Sequence, residues 1–355
     1  MQIRLASDID EQKWNSFTSR HPDASPYHHY AWKKSIENAY GHQCFYLIAE
    51  NSSGEIVGVL PTVSIKLPFL KGKLCALPFC DLGACLTDDT STEARLIKKA
   101  CEEALDHKLS TFEYRASRKH SEDEGDGEPL SRTNKVRMLL ELPETSEKLL
   151  ASFKSKLRSQ INKAVKNGLT YETGHDDRLV DEFYDVFSCN MKDLGSPTHS
   201  KKWFSEIKNN YGDDMVISII KYEGQPVGAG IVLFCGTIAA IPWASTKRKF
   251  NRLAPNMLLY WSLLKYSTDK GCKVFDFGRS SYEEGTYKFK KQWGARPLLL
   301  NWKKFNNTTR QTIPENDNII TGKGKIRGLV ESAWKMLPLG LTTAIGPRIR
   351  RYISL

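Results

Sequence analysis

The stretch from Met215 to Phe277 constrains the fold more than any other part of this chain. Three strand-like apolar runs follow one another there: Met215–Tyr222, Val227–Cys235 and Ile238–Ala244. Only Glu223-Gly224-Gln225-Pro226 separates the first two, a turn short enough to force antiparallel pairing. The third run leads through a basic loop into a helix predicted over Pro255–Lys270, with proline in its first turn and Gly271 past its end. A short strand, Val274–Phe277, comes next. A strand, a helix and a second strand in that order join in parallel. The sheet therefore mixes an antiparallel meander with a parallel pair.

Ahead of the meander, Leu149, Leu150, Phe153, Leu157, Ile161, Ala164 and Val165 recur at helical spacing, and Gly168 stops the helix. Leu179–Asn190 and Trp203–Asn210 read as two more helices, and Pro297–Phe305 as a last strand. Helices, a meander, then strand–loop–helix–strand is the order of the GNAT (acyl-CoA N-acyltransferase) fold. The beginning of the chain shows a fainter version. It has a strand over Val57–Val63 after the turn signal Asn51–Gly54, another over Lys73–Pro78, a helix over Ala94–Lys108, and strands over Thr111–Arg115 and Val136–Leu142. The expectation is an α/β fold with mixed sheets: a GNAT-like unit over residues 1–145, a second over 146–305, and a basic amphipathic tail over 306–355. Residues 121–128, SEDEGDGE, read as an exposed acidic loop, and 306–322 as a polar, flexible stretch.

The 355 residues are enough for two cores, and 40% apolar with 26% charged residues is ordinary for a globular protein. No run of 18 apolar residues is present, and MQIRLASDIDEQKW carries acids where a signal peptide would be apolar. A cytoplasmic protein is expected. None of the eight cysteines forms a CxxC pair, so we expect reduced core thiols and no metal site. A formal charge of +11 favours anionic partners: phosphorylated substrates, nucleic acid or an acidic membrane. From Lys323 onward, seven basic residues face the single acid Glu331, interleaved with Leu329, Val330, Trp334, Leu337 and Leu341. Such a segment suits peripheral contact with the inner membrane, or a terminal helix docked on the body.

Signatures of rival chemistries are missing: there is no GxSxG, Walker A, GxGxxG or HExxH. His28 and His29 fit a structural pair better than a base. Two segments carry the chemistry. In WASTKRKFNRLAPNMLLYW, residues 243–261, Lys247, Arg248, Lys249 and Arg252 precede a helix N-terminus, where unpaired N–H groups and the helix dipole add to the cations. A plain basic surface loop would look the same. No glycine lies between Gly236 and Gly271, so a tight backbone cradle for a pyrophosphate is not expected. In FDFGRSSYEEGTYKFKKQWGA, residues 275–295, Asp276 ends a strand, Arg279 and Lys290 supply charge, and Tyr282, Tyr287 and Phe289 supply aromatic faces. Core packing would also explain the aromatics. The helix ending at Gly168 carries Arg158 and Lys163 on its charged face, which reads either as solvated or as anion-binding.

These segments, with YHHYAWKKSIENAYGH, GEIVGVLP, LPFCDLGACL, VRMLLELP and KSKLRSQINKAVKNGL, resemble the FemAB-like double-GNAT family. The subgroup they resemble most is the FemAB proteins associated with PEP-CTERM/exosortase exopolysaccharide loci. The resemblance spans about residues 25–305. It implies transfer of an amino acid from aminoacyl-tRNA to an amine of a cell-envelope precursor. It also implies that Phe289-Lys290 matches the family's Phe-Lys pair at the transfer centre. The inserted coiled-coil arm of some Fem enzymes is absent from this chain.

The mechanism expected is attack of an acceptor amine on an activated acyl carbonyl. Lys290 would hold the developing oxyanion or an adjacent phosphate, and Asp276 would take the proton directly or through water, or else only brace the Gly278 turn. Arg279, Lys247, Arg248 and Arg252 would bind phosphate or donor RNA beside Asn256, and Tyr282, Tyr287 and Trp243 would wall the cleft. Arg158 and Lys163 would add positive charge. No tightly bound cofactor is expected. The donor is aminoacyl-tRNA or acyl-CoA/acyl-carrier protein, and the acceptor a phosphorylated or lipid-linked envelope or exopolysaccharide precursor. Two other readings stay open: an acyl-CoA-dependent N-acetyltransferase of a sugar or small amine, and a non-catalytic docking component of an exopolysaccharide assembly complex.

Overall fold

The structure, a computed structural model, describes residues 1–66, 71–117, 130–131, 134–306, 312–313 and 320–355. The acidic loop at 121–128 and most of the polar stretch that opens the tail lie outside the described residues. The first half opens with β1 (Gln2–Leu5), α1 (Glu11–Thr18) and α2 (Tyr30–Tyr40). Next come β2 (Leu47–Glu50), β3 (Ile56–Leu60), β4 (Val63–Ile65), β5 (Lys73–Cys75), α3 (Thr90–Asp106), β6 (Thr111–Ser117) and β7 (Lys135–Glu141). The second half holds α4 (Ser146–Ser152), α5 (Ser155–Lys166), β8 (Leu169–Gly174), α6 (Asp177–Leu194) and α7 (Lys201–Tyr211). It continues with the meander β9 (Met215–Tyr222), β10 (Gln225–Cys235) and β11 (Ile238–Thr246), then α8 (Pro255–Asp269), β12 (Val274–Ser281), α9 (Gly285–Lys291) and β13 (Arg296–Asn306). The tail supplies β14 (Thr312–Ile313), α10 (Ile320–Met336) and α11 (Leu339–Arg350).

Local chemistry sets these boundaries. The carboxylate of Asp89 accepts from the backbone N–H groups of Ser91 and Thr92 and starts α3. His29 accepts from Ala31 N–H at 3.1 Å and starts α2, which Gly41 ends in the left-handed conformation. The single helix predicted over Leu149–Val165 is two helices. Phe153 is extended, its ring buried edge-on to Trp261 and Trp293. Arg158 donates to the carbonyl oxygens of Ala151 and Phe153 that the break leaves unpaired.

One sheet crosses the whole molecule in the order β4-β5-β6-β13-β7-β12-β11-β10-β9-β8, beside a small antiparallel sheet of β1, β2 and β3. Its seam is an exchange. β13 pairs with β7 through Arg296–Leu299 and with β6 through Leu300–Asn306, and β7 also pairs with β12. A continuous apolar cluster spans both halves, from Trp14 and Trp32 to Trp203, Ile217 and Trp243.

Two features position the site. β11 and β12 pair in parallel only over Ile238–Ala240 and Val274–Asp276, and then part. The tail is docked: α10 and α11 pack on α6, His42 Nε2 lies 2.8 Å from the carbonyl of Arg351, and Phe79 N–H donates to the carbonyl of Ser354 at 2.6 Å. On its outer face Leu329, Val330 and Met336 remain exposed.

Candidate active site

The gap between β11 and β12 opens into a cavity of about 390 Å³, within the range of small-molecule sites. From β11 come Ile241, Trp243 and Ser245, and from β12 Phe277, Gly278 and Arg279. A third wall is the segment Phe79–Asp81 of the first half, and a fourth is Lys290 of α9.

Lys290 is only 8% exposed. Its ammonium donates to the carbonyl oxygens of Gly278 (3.0 Å) and Arg279 (2.8 Å), which leaves one N–H for the cavity. Burial pulls its pKa down to about 8, against the opposing pull of Asp81 and Asp276. These two bonds are available because β12 bulges against β7 between Asp276 and Arg279, where Gly278 turns at φ 73°.

Asp276 does not line the cavity and corrects the expectation of a base there. One carboxylate oxygen accepts from Arg137 Nε at 2.6 Å, in an ion pair buried on both sides, and the other accepts from Gly278 N–H at 2.8 Å. It braces the turn. Among the described residues, the acidic side chain that does reach the cavity is Asp81, from the segment LPFCDLGACL. It accepts from Arg279 N–H at 3.0 Å and lies 3.4 Å from Arg279 Nε. The sequence held a signal for it, a lone acid in an apolar run, with nothing to say what it faced.

The segment carrying Asp81 is tightly held. Leu77 and Phe79 both sit at positive φ, a strained conformation for such side chains. Arg115, 3% exposed, donates to the carbonyl oxygens of Leu77 (3.2 Å) and Cys80 (2.8 Å). Trp302 Nε1 donates to the Asp81 carbonyl at 3.1 Å, and its ring is flanked by the guanidinium groups of Arg115 and Arg279. His28 fixes the far end of the segment, with Nε2 2.9 Å from the carbonyl of Ala84. Burial drives its pKa to about 4. His28 is structural, and His29 caps α2.

Of the other residues expected at the site, Trp243 and Arg279 line the cavity. Tyr282 and Tyr287 do not; they pack on each other with ring centroids 4.9 Å apart, and Tyr287 is buried. Phe289 stands one layer back, 4.9 Å from the ring of Tyr260, which is itself a lining residue. Lys247 is paired with Asp185, while Arg248, Arg252 and Asn256 are exposed and outside the cavity. The reason is local: residues 248–253 form a tight 3₁₀ turn that ends at Ala254 in the left-handed region and carries the cations outward. Arg158 caps α4, and Lys163 is exposed on α5. Asn167 Nδ2 donates to the Leu253 carbonyl at 3.2 Å, so the end of α5 abuts that basic turn. His199 and Arg350 also line the cavity and were among the residues that sequence reading missed.

Residues 151–291 match the acetyltransferase (GNAT) domain family. Among solved structures, the fold is similar to that of FemX, with a TM-score of 0.65 at 15% identity over 84% of this chain and 97% of that one. A tandem GNAT protein from the clavulanic acid biosynthesis pathway gives a TM-score of 0.53 at 11% identity, over 86% of this chain and 98% of that one. The C-terminal domain of a putative lysylphosphatidylglycerol synthetase from Agrobacterium fabrum gives 0.52 at 11% identity, over 91% and 96%. No curated protein sequence matches the chain. The fold is a tandem GNAT fold, and the chain is an acyltransferase.

Proposed function

We propose that this acyltransferase transfers an aminoacyl or acyl group to an amine on a phosphorylated or lipid-linked cell-envelope or exopolysaccharide precursor, in the cytoplasm. The observation that carries the reading is Lys290: a buried ammonium pinned by two carbonyls, with one N–H left for a cavity between parted strands. That is the place and the charge an acyl-transfer oxyanion requires. The acceptor amine attacks the acyl carbonyl, and a C–N bond forms. Lys290 stabilises the oxyanion, then the C–O or C–S bond to the carrier breaks and the carrier leaves. Asp81 accepts the proton lost by the amine and returns it to the leaving oxygen or sulfur. Likeness to FemX and to a lysylphosphatidylglycerol synthetase domain supports an aminoacyl donor and an envelope acceptor.

A cavity of about 390 Å³ takes the acyl end of a donor and not a folded RNA, which would lie against the exposed cations Arg248, Arg252 and Lys163. An acyl thioester is the second reading, favoured by the GNAT match itself. Incubation of the purified protein with radiolabelled aminoacyl-tRNA or acyl-CoA and extracted lipid-linked precursors tests both. Transfer abolished by ribonuclease supports the first donor, and transfer from coenzyme A thioesters the second. Unchanged polymer and precursor masses after deletion of the gene would end the envelope reading. The exposed apolar face of α10 and α11, with Lys335 and Arg348, fits peripheral contact with the inner membrane.

A further inference from the structure

The cavity has a second polar end that the transfer chemistry leaves unused. It is walled by Phe79, Trp243 and Phe187 and contains two nitrogen donors, His199 and Arg350. His199 is 1% exposed and stacks on Trp203. Its Nδ1 lies 2.6 Å from the hydroxyl of Tyr40, and its Nε2 has no hydrogen-bond partner. Tyr40 is not a lining residue whereas His199 is, and the unpartnered Nε2 is buried at the cavity's lining. When the Tyr40 hydroxyl donates its proton to Nδ1, the neutral ring carries its own proton on Nε2. Burial and the neighbouring Arg350 push the imidazole pKa well down, so the ring is a neutral donor.

Arg350 comes from α11, outside the segment that matches the GNAT domain. Its guanidinium lies 5.6 Å from the centre of the Phe79 ring and donates from Nη1 to the Ile353 carbonyl at 2.7 Å. It forms no ion pair among the described residues, and burial draws its pKa down to about 10. A half-buried cation with no ion pair and a buried ring nitrogen with no partner, both in the lining of one cavity, are costly unless a ligand supplies oxygen atoms.

We infer that His199 and Arg350 form an oxyanion-recognition subsite, which binds a carboxylate or phosphate group of the acceptor while its amine lies at Lys290. The inference rests on the transfer reading for the amine's position, not for the subsite itself. It also gives the docked tail a role, since α11 brings the cation to the cavity. Carboxylate and phosphate share the chemistry that Arg–His recognition requires: planar or tetrahedral oxygens that accept charge-assisted hydrogen bonds.

The test follows the His199 ring nitrogens by NMR during titration of the full chain with inorganic phosphate and, separately, with acetate. The expected result is a saturable shift of the Nε2–H resonance with at least one of them, unchanged within about twofold in Lys290→Ala. Phosphate alone identifies a phosphorylated acceptor, acetate alone a carboxylated one, and both together the shared oxyanion site. Arg350→Ala should weaken binding roughly tenfold or more, the scale of a lost charge-assisted hydrogen bond. Arg350→Lys should recover part of it. His199→Gln, which keeps a donor at the same reach, should bind better than His199→Phe by calorimetry, with thermal melts to show that each variant is folded. Absence of a shift with either anion in the wild type overturns the proposal, as does wild-type affinity in folded Arg350→Ala. Loss of binding in Lys290→Ala equal to that in Arg350→Ala also overturns it, by assigning the anion to the transfer centre. Full turnover in Lys290→Ala with binding lost in Arg350→Ala would instead remove the transfer mechanism and keep the subsite.

Discussion

Lys290 carries the most specific expectations because its environment fixes both its charge and its direction. Two of its three N–H bonds are spent on Gly278 and Arg279, so loss of the third removes one oxyanion donor. Lys290→Ala should lower kcat by about 10²–10³, roughly 2.7–4 kcal/mol of transition-state stabilisation, in a protein that still binds acceptor. With its pKa at about 8, the ammonium is present below that pH and lost above it. Turnover should therefore fall as pH rises through about 8 with the loss of one proton, a decline that Lys290→Arg should lack. Stability runs the other way. A buried lysine whose pKa drops from 10.5 to about 8 binds fewer protons folded than unfolded in that window, so stability rises there with pH. The two carboxylates separate in the same manner. Asp81→Asn should reduce kcat by about 10²–10⁴ with the melting temperature nearly intact, as for a general base. Asp276→Ala strands buried Arg137 and should cost about 3–5 kcal/mol of stability, read as a lowered melting temperature. A large kcat loss without destabilisation in Asp276→Ala would reverse the two roles.

At the scale of elements, the segment from Ala76 to Cys85 converts a remote acid into a site residue. Gly83 has no room for a side chain: a Cβ there would come within 2.1 Å of the Ala76 carbonyl oxygen. Gly83→Ala must displace the backbone that carries Asp81, so we expect several kcal/mol of destabilisation and a loss of kcat beyond that explained by unfolding. Activity and melting temperature both at wild-type level would contradict that account of the segment. The same segment marks where sequence reading stops. The meander, α8 and the short strand after it were legible because apolar period, turn residues and Pro–Gly punctuation agree over Met215–Phe277. Lys290 was legible through a resemblance, on a helix that periodicity did not reveal. Asp81 was not, because its partner Arg279 is 198 positions away and no local pattern encodes that contact. The cations at 247–252 were legible as charge but not in direction. Their charge pattern is real, yet a 3₁₀ turn and one left-handed alanine decide which way they face. Helices α1 and α2 escaped notice because their short apolar stripes are interrupted by polar residues that cap and pair them.

For the molecule as a whole, the exchange at the seam sets how it unfolds. β7 lies early in the chain but pairs with β12 and β13, while the end of β13 pairs back onto β6. Neither half can close its sheet alone. A fragment that begins at residue 146 lacks β7, which bares an edge of β12 and leaves the first four residues of β13 without a partner. The apolar cluster through Trp32 and Trp243, stacked with centroids 6.1 Å apart, binds the halves from the other face. The two GNAT units should therefore melt together. In urea, tryptophan fluorescence and far-UV circular dichroism should trace one coincident transition. Hydrogen exchange should give amides of Thr111–Ser117, Lys135–Glu141 and Val274–Ser281 a common opening free energy. The fragment 146–355 should fail to fold when expressed alone and should recover secondary structure only on mixing with residues 1–145. Two separated transitions, with β6 opening well before β12, would mean that the exchanged strands do not couple the halves. Asp81 could not then be held against Arg279 by the sheet, and the cavity would be a product of domain docking instead of a consequence of the fold.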